Sequence, residues 1–107
     1  MSLNKELLKG NIDLLILSVV KEKESSYGYE ISKKIKDKTE GKFEIQEATL
    51  YISLKRLEKQ GALSSSWGNE SHGGRRKYYA ITDEGIQLLN NLISDWKKVT
   101  EIVKRFI

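Results

Sequence analysis

The sequence predicts a mainly α-helical fold that carries one small β-hairpin, and three observations support this prediction. Apolar residues recur at helical spacing in four separate segments of the chain. Before the last of these segments, residues 62–67 and 75–81 are instead rich in β-forming residues and flank a glycine-rich stretch. The chain has 107 residues, which is the length of one domain with a modest core.

The first helix is predicted over residues 5–23 and is apolar on more than one side. A helix of this kind is buried between two layers of the fold rather than resting on a surface. Its apolar positions are Leu8, Ile12, Leu14, Leu15, Leu17, Val19 and Val20.

The second helix is predicted to start at a Ser25 or Ser26 cap and to run to about Thr39, with Gly41 after its end. Its buried stripe would consist of Tyr27, Ile31 and Ile35.

A third helix is predicted between Phe43 and Gly61, with a narrow apolar stripe on one side and cations on the other. Gln46 stands at its N-cap, where Ser, Thr, Asn or Asp caps better, so we expect a frayed first turn. Two short helices joined by a brief turn predict a helix-turn-helix, although an ordinary surface helix has the same pattern. The stripe is Leu50, Leu54 and Leu57, and the opposite side carries Ala48, Ile52, Lys55, Arg56 and Lys59, bordered by Thr49 and Tyr51.

The hairpin is predicted from strands over Ala62–Trp67 and Arg75–Ile81, joined by residues 68–74. An isolated hairpin is only marginally stable, so it must lean on the helices through Leu63, Trp67, Tyr79 or Ile81. A helix-turn-helix followed by such a hairpin predicts a winged-helix module.

The last helix is predicted to begin after a Thr82 cap and to run to the chain end. Its apolar residues keep coiled-coil spacing for more than two heptads, which favours a homodimer in which this helix packs on the partner, on its first helix. Packing of the helix against its own chain is the alternative. We therefore expect a DNA-binding domain over residues 1–82 and a dimerisation helix over residues 83–107. The expected dimer residues are Leu8, Ile12, Leu89, Leu92, Trp96, Val99, Val103 and Phe106.

Charge and composition narrow the functional classes. The net charge is +4, and residues 1–26 and 83–107 each sum to zero, so the whole excess lies in the middle of the chain. The sequence has no cysteine, a single histidine (His72) and no glycine-rich phosphate loop, so we expect no enzyme activity, no cofactor and no metal. The longest apolar run, Ile12–Val20, is too short to cross a bilayer, which predicts a cytoplasmic protein without a membrane partner.

The third helix and the hairpin together predict binding of double-stranded DNA. Ala48, Thr49 and Ile52 would meet thymine methyl groups in the major groove, while Tyr51, Lys55 and Arg56 would contact the DNA backbone. Gly74, Arg75, Arg76 and Lys77 would form the wing, unless this segment is only a solvated turn. Because side chains alternate along a strand, Arg75 and Lys77 should share one face and Arg76 the other, so the two arginines should contribute unequally.

Trp96 suggests a ligand site, because two-fold symmetry would bring two indole rings together near the dimer centre. A flat aromatic effector could then bind between the subunits, beside Leu89, Ile93 and Leu14. Simple packing of Trp96 in the dimer interface is the alternative.

Blocks along most of the chain resemble the PadR family of bacterial transcriptional regulators: "LLKGNIDLLILSVV", "YGYEI", "ATLYISLKRLEKQGAL" and "WGNESHGGRRKYYAIT". The length, with one C-terminal helix, is similar to the short subfamily. The resemblance implies a winged helix-turn-helix with dimerising terminal helices, which represses transcription by binding an operator and responds to small molecules such as phenolic acids or planar aromatic drugs.

By position, the resemblance implies a phosphate contact by Tyr51, and Trp96 lies where multidrug-sensing members hold drugs between tryptophans. It further implies recognition-helix contacts by Thr49, Lys55 and Arg56 and a wing of Arg75, Arg76 and Lys77. This chain departs from the family at Ile52, where many members have Pro, and at Gln46, where Ser or Thr is usual. We expect a ligand-responsive homodimeric repressor; the alternative is a ligand-binding or protein-interaction dimer with weak or degenerate DNA binding.

Overall fold

A computed structural model describes residues 5–70 and 74–107 of the chain. Five helices and three short strands follow one another along the chain. They are α1 (Lys5–Lys9), α2 (Ile12–Lys21), β1 (Ser26–Tyr27), α3 (Gly28–Lys38), α4 (Glu47–Lys59), β2 (Leu63–Trp67), β3 (Lys77–Ile81) and α5 (Asp83–Lys104).

The single helix predicted over residues 5–23 is wrong, because the chain breaks it into α1 and α2 at Gly10 and Asn11. The backbone N–H of Asn11 donates to the carbonyl oxygen of Leu8 at 2.9 Å, which closes a tight turn in place of helix. Gly10 is a poor helix former, and a new helix starts when the N–H of Leu15 donates to the Asn11 carbonyl oxygen. α2 is then the central helix, with Ile16, Leu17 and Val20 completely buried.

The predicted serine cap of the second helix is also wrong, because Ser26 and Tyr27 form the short strand β1. Ser26 pairs with Tyr79 and Tyr27 with Tyr78, both antiparallel. The helix therefore starts at Gly28, after Tyr27 as its N-cap residue, and the N–H of Tyr27 donates to the Glu30 carboxylate at 3.4 Å.

α4 has the buried stripe that its sequence predicts. Leu50, Leu54 and Leu57 are each at most 2% exposed. Gln46 occupies the N-cap with extended backbone and makes no side-chain cap. Gly61 has a φ of +85°, a left-handed conformation that stops the helix and turns the chain into β2.

The three strands form one antiparallel sheet in the order β1-β3-β2. The β2–β3 hairpin is in register from Leu63 opposite Ile81 to Trp67 opposite Lys77. β3 begins at Lys77 and not at Arg75, although the N–H of Gly68 still donates to the Arg76 carbonyl oxygen. We call β2, β3 and the segment between them the wing.

The hairpin leans on the helices through Leu63 and Tyr79, which are buried, and through Ile81, which is partly buried. Trp67 does not act as such an anchor, because 56% of it is exposed. Burial falls along this face of β2, from the buried Leu63 through the half-buried Ser65 to the exposed Trp67.

α5 begins as predicted, since the Thr82 hydroxyl accepts a hydrogen bond from the N–H of Gly85 at 3.0 Å. The first half of α5 packs on α2 and buries Leu89 in the core of its own subunit. From Trp96 onward the apolar residues of α5 are exposed. No helix in the described residues is long and apolar enough to cross a membrane.

Candidate nucleic-acid interface

The outer side of α4 presents small and apolar side chains at its start and cations towards its end. Ala48 is exposed, Thr49 is half-buried, and 67% of Ile52 is exposed. Lys55 and Lys59 follow on the same exposed side. Small and methyl-bearing groups suit contacts with base edges in a major groove, and cations suit contacts with phosphates.

Tyr51 is held by close packing against Gly28 at the start of α3. A Cβ atom on Gly28 would lie 2.7 Å from the Tyr51 hydroxyl oxygen and 2.9 Å from the adjacent ring carbon, so a side chain there would displace the ring from its present position. Tyr51 nevertheless remains 45% exposed. Its phenol is thus positioned by the first helix of the helix-turn-helix while it sits on the second.

Arg56 points towards α2 and not away from the protein. Its guanidinium donates two hydrogen bonds of 2.8 Å to the two carboxylate oxygens of Asp13. These bonds raise the pKa of Arg56 above its ordinary value. In the free protein, Arg56 is therefore committed to tying α4 to α2, and Lys55 is the neighbouring cation that stays on the exposed side.

The wing cations alternate between two faces, as the sequence predicts. The guanidinium of Arg75 lies 5.8 Å and the Lys77 ammonium 6.0 Å from the ring centroid of Trp67. The guanidinium of Arg76 instead lies over Tyr27 on the other side, at 4.5 Å. Gly74 is exposed with a φ of +86°, whereas His72 and Gly73 lie outside the described residues.

Two carboxylates partly balance these cations. Glu58 lies 3.3 Å from the Lys77 ammonium, and Glu70 lies 4.0 Å from the Arg76 guanidinium. The Ser65 hydroxyl lowers the pKa of Glu58 by donating a hydrogen bond to it, and Lys77 lowers it further. The Tyr78 hydroxyl donates to Glu70 at 2.6 Å and likewise lowers the pKa of that carboxyl. Both carboxylates are therefore charged at neutral pH.

Between the start of α3, the outer side of α4 and the wing lies a cleft of about 570 Å³, which we call the aromatic cleft. The sequence predicted Tyr51 and the three wing cations in this region. It did not predict that Tyr29 and the exposed Trp67 would line the same cleft. Its lining is Tyr27, Gly28, Tyr29, Tyr51, Trp67, Arg75, Arg76, Lys77 and Tyr79.

Most of the predicted ligand residues lie around a separate groove of about 360 Å³ between α1, α2 and α5. Leu14, Ile93 and Trp96 line this apolar groove together with Leu8 and Leu15. Leu89 does not border it, because Leu89 is buried in the core.

The predicted dimer residues divide into two groups. Ile12 and Leu89 belong to the core of the subunit, and Leu8 and Leu92 are partly buried against it. The remaining predicted positions are exposed and, together with Ile102, form an apolar stripe along the second half of α5 and the residues that follow it. The stripe comprises Trp96, Val99, Ile102, Val103 and Phe106, of which Phe106 is 84% exposed.

A helix-turn-helix followed by a β-hairpin with cations at its tip defines a winged-helix regulator of transcription. The chain belongs to the PadR family, since the sequence profile of the "Transcriptional regulator PadR-like family" matches residues 16–91. It is accordingly a DNA-binding regulator, and this family consists of transcription regulators rather than enzymes.

Several known proteins are similar to this one in sequence or structure over nearly the whole chain. The structure of a transcriptional regulator from Clostridium thermocellum is 40% identical with a TM-score of 0.88, covering 95% of this chain and 98% of that one. A PadR family regulator from Eggerthella lenta is 36% identical with a TM-score of 0.85, covering 94% and 85%. A Lysinibacillus sphaericus protein called only "uncharacterized" is 42% identical over 95% of this chain and 93% of its own. The transcriptional regulator YqjI of Escherichia coli is 28% identical over 89% of this chain, which spans 44% of its length.

Proposed function

We propose that this protein is a homodimeric repressor that binds double-stranded operator DNA and responds to a small aromatic effector. The observation that carries the proposal is the convergence of the outer side of α4 and the wing cations around one cleft. Tyr51 from α4 and Arg75 and Lys77 from the wing line the same cleft.

In this proposal α4 lies in the major groove. Ala48, Thr49 and Ile52 contact base edges, chiefly thymine methyl groups, because they are small or carry methyl groups themselves. Tyr51 and Lys55 bind phosphates on either side of the groove. Gly74 lets the wing tip bend along the DNA, and Arg75, Arg76 and Lys77 contact the backbone there. Arg56 contributes by holding α4 at its angle to α2, given its two bonds to Asp13.

The exposed apolar stripe of α5 supports homodimerisation. A stripe of this size is costly to leave in water, and its continuous heptad spacing suits packing against another helix. Leu8 and Leu14 of the groove adjoin it through Trp96. A second copy of the chain would cover both surfaces and place two recognition helices on successive half-sites.

Repression needs no further machinery in such a dimer. A regulator that occupies an operator overlapping a promoter excludes RNA polymerase by occupancy alone. The effector would bind in the apolar groove, where the Trp96 ring offers a flat surface and Ile93 and Leu14 supply apolar walls.

The DNA-binding part is tested with a fluorescein-labelled fragment from the region upstream of the protein's own gene. We expect anisotropy titrations to give an affinity that falls steeply with salt, with a slope that reports the number of phosphate contacts. Light scattering in the same buffers gives the mass of the free and bound protein. A protein that stays dimeric but binds no DNA at low salt would support the alternative, an interaction dimer with degenerate DNA contacts.

The effector part is tested by intrinsic fluorescence with a panel of planar aromatic dyes. Trp67→Phe leaves Trp96 as the remaining tryptophan, so quenching in this variant reports on the groove. Leu14→Ala is the matched groove variant and should weaken the quenching. Absence of quenching by every dye would exclude an aromatic effector at Trp96.

A further inference from the structure

The exposed indole of Trp67 is unexplained by the fold and by the contacts proposed so far. Leu63, Ser65 and Trp67 share one face of β2, and Leu63 is buried under the helices. Trp67 continues this face beyond the core and leaves 56% of its surface in solvent. A tryptophan buries a large apolar area when it is covered, so an uncovered one at the wing is costly unless a partner covers it.

The surroundings of Trp67 indicate the chemistry of that partner. Arg75 and Lys77 both lie beside its ring, at 5.8 Å and 6.0 Å from the centroid. Many of the other exposed large apolar side chains lie on the second half of α5, whereas Trp67 lies in the aromatic cleft with Tyr29 and Tyr51. An apolar ring with two cations beside it is unsuited to another apolar protein surface, because docking there would desolvate both charges.

The backbone of DNA carries complementary groups. Each deoxyribose presents a face of C–H bonds, and a phosphate stands on either side of it. A surface that sets two cations beside a ring can therefore bind phosphates and cover a sugar next to them.

We propose that Trp67 packs on a deoxyribose in the wall of the DNA minor groove while Arg75 and Lys77 bind the two flanking phosphates. This inference rests on the proposed contact between the wing and DNA and adds to it an apolar, sequence-independent contact. Trp67 then increases affinity for every duplex equally and takes no part in choosing the operator.

The test uses a random-sequence duplex at low salt, so that no operator needs to be known. We expect Trp67→Ala to bind about tenfold more weakly than the wild type, since the sugar contact is lost. The plot of log affinity against log salt should run parallel to that of the wild type, because no cation has been removed. Arg75→Ala should instead flatten the slope by about one. Ser66→Ala, the neighbour on the opposite face of β2, is the matched control and should bind like the wild type.

Two outcomes would overturn the inference. An unchanged affinity of Trp67→Ala would mean that the ring does not touch DNA. A flattened slope in that variant would mean that the ring only positions Arg75 and Lys77. If the wild type itself did not bind the duplex, the proposed contact between the wing and DNA would be refuted. Failure of this inference and failure of the proposed function are therefore distinguishable.

A second measurement leaves the ring in place, in case Trp67→Ala destabilises the hairpin. Labelling with 5-fluorotryptophan gives two ¹⁹F resonances, one for each tryptophan of the chain, and Trp67→Phe assigns them. We expect the random-sequence duplex to shift the Trp67 resonance. A duplex that binds without shifting that resonance would contradict the sugar contact.

Discussion

The aromatic cleft and the apolar stripe of α5 are both exposed, but they differ in the chemistry that can cover them. The cleft combines rings with cations, as where Arg75 lies beside Trp67. The stripe exposes aliphatic and aromatic groups such as Val99 and Phe106 with no cation among them. The first surface suits a polyanion and should be sensitive to salt, whereas the second suits another apolar surface and should not be. In the proposed dimer, DNA recognition and self-association would therefore rest on different forces.

The largest expected effect comes from placing a charge in the stripe with Val99→Glu. Burying an unpaired carboxylate between apolar helices costs several kcal/mol, so dimerisation should weaken by about 100-fold or more. DNA affinity should fall with it, because a monomer holds one half-site only. Light scattering across a concentration series measures the first effect, and anisotropy measures the second.

Ser94→Glu is the matched control for this variant, since it adds the same charge to an exposed residue on another side of α5. It should leave the dimer intact. Dissociation in both variants would mean that the stripe is not the interface.

The next largest effect is a difference in DNA affinity between variants of the two wing arginines. Arg75 stands on the face with Trp67 and Lys77, whereas Arg76 is held over Tyr27 and near Glu70. We expect Arg75→Ala to weaken DNA binding about tenfold and Arg76→Ala by no more than about threefold. Anisotropy titrations at matched salt compare them. Equal losses would refute the assignment of the two side chains to opposite faces of the wing.

A smaller effect is expected when two neighbouring cations of α4, Lys55 and Arg56, are replaced, because one should affect DNA binding and the other stability. Arg56→Ala removes the two hydrogen bonds to the Asp13 carboxylate. It should lower the free energy of unfolding by about 0.5–1 kcal/mol, since this ion pair is partly exposed to solvent. Lys55→Ala should leave stability unchanged and flatten the salt slope of DNA binding by about one. Chemical denaturation measures the stability of both variants, and salt titrations measure the salt dependence of their DNA binding. A flattened slope in Arg56→Ala would show that Arg56 leaves Asp13 for a phosphate.

The smallest effect is the response of the wing to acid. The folded state lowers the pKa of Glu58 and Glu70, so their contribution to stability is present above the unfolded carboxyl pKa. It is lost as the pH falls through the lowered folded values, on the acid side of the ordinary carboxyl range. Thermal unfolding from neutral to acid pH should show this loss, and Glu58→Gln should make it shallower. An identical pH profile in Glu58→Gln would mean that the bonds to Ser65 and Lys77 do not stabilise the wing.

The sequence predicted the parts of the fold that depend on local patterns. The apolar spacing of Leu50, Leu54 and Leu57 placed α4, and Thr82 placed the start of α5. It missed the break at Gly10, because apolar residues recur at helical spacing on both sides of the turn. It also missed β1, since two residues carry no periodic pattern and form a strand only by pairing with β3.

The same distinction holds for the candidate site. Alternation along the wing correctly separated Arg76 from Arg75 and Lys77. A helical projection of α4 could not reveal the bonds of Arg56, because its partner Asp13 lies on α2, distant in sequence. The sequence could not reveal the exposure of Trp67 either, since this exposure depends on which other parts of the fold pack against the end of β2.

The contact between Gly28 and Tyr51 has a consequence for comparing sequences. A methyl group at position 28 would occupy the space of the phenol, so the present position of the Tyr51 ring depends on glycine at position 28. The glycine of "YGYEI" and the tyrosine of "TLY" are therefore in direct contact although they are distant in sequence. In a related chain with alanine at the first position, the tyrosine ring should lie further from the start of α3.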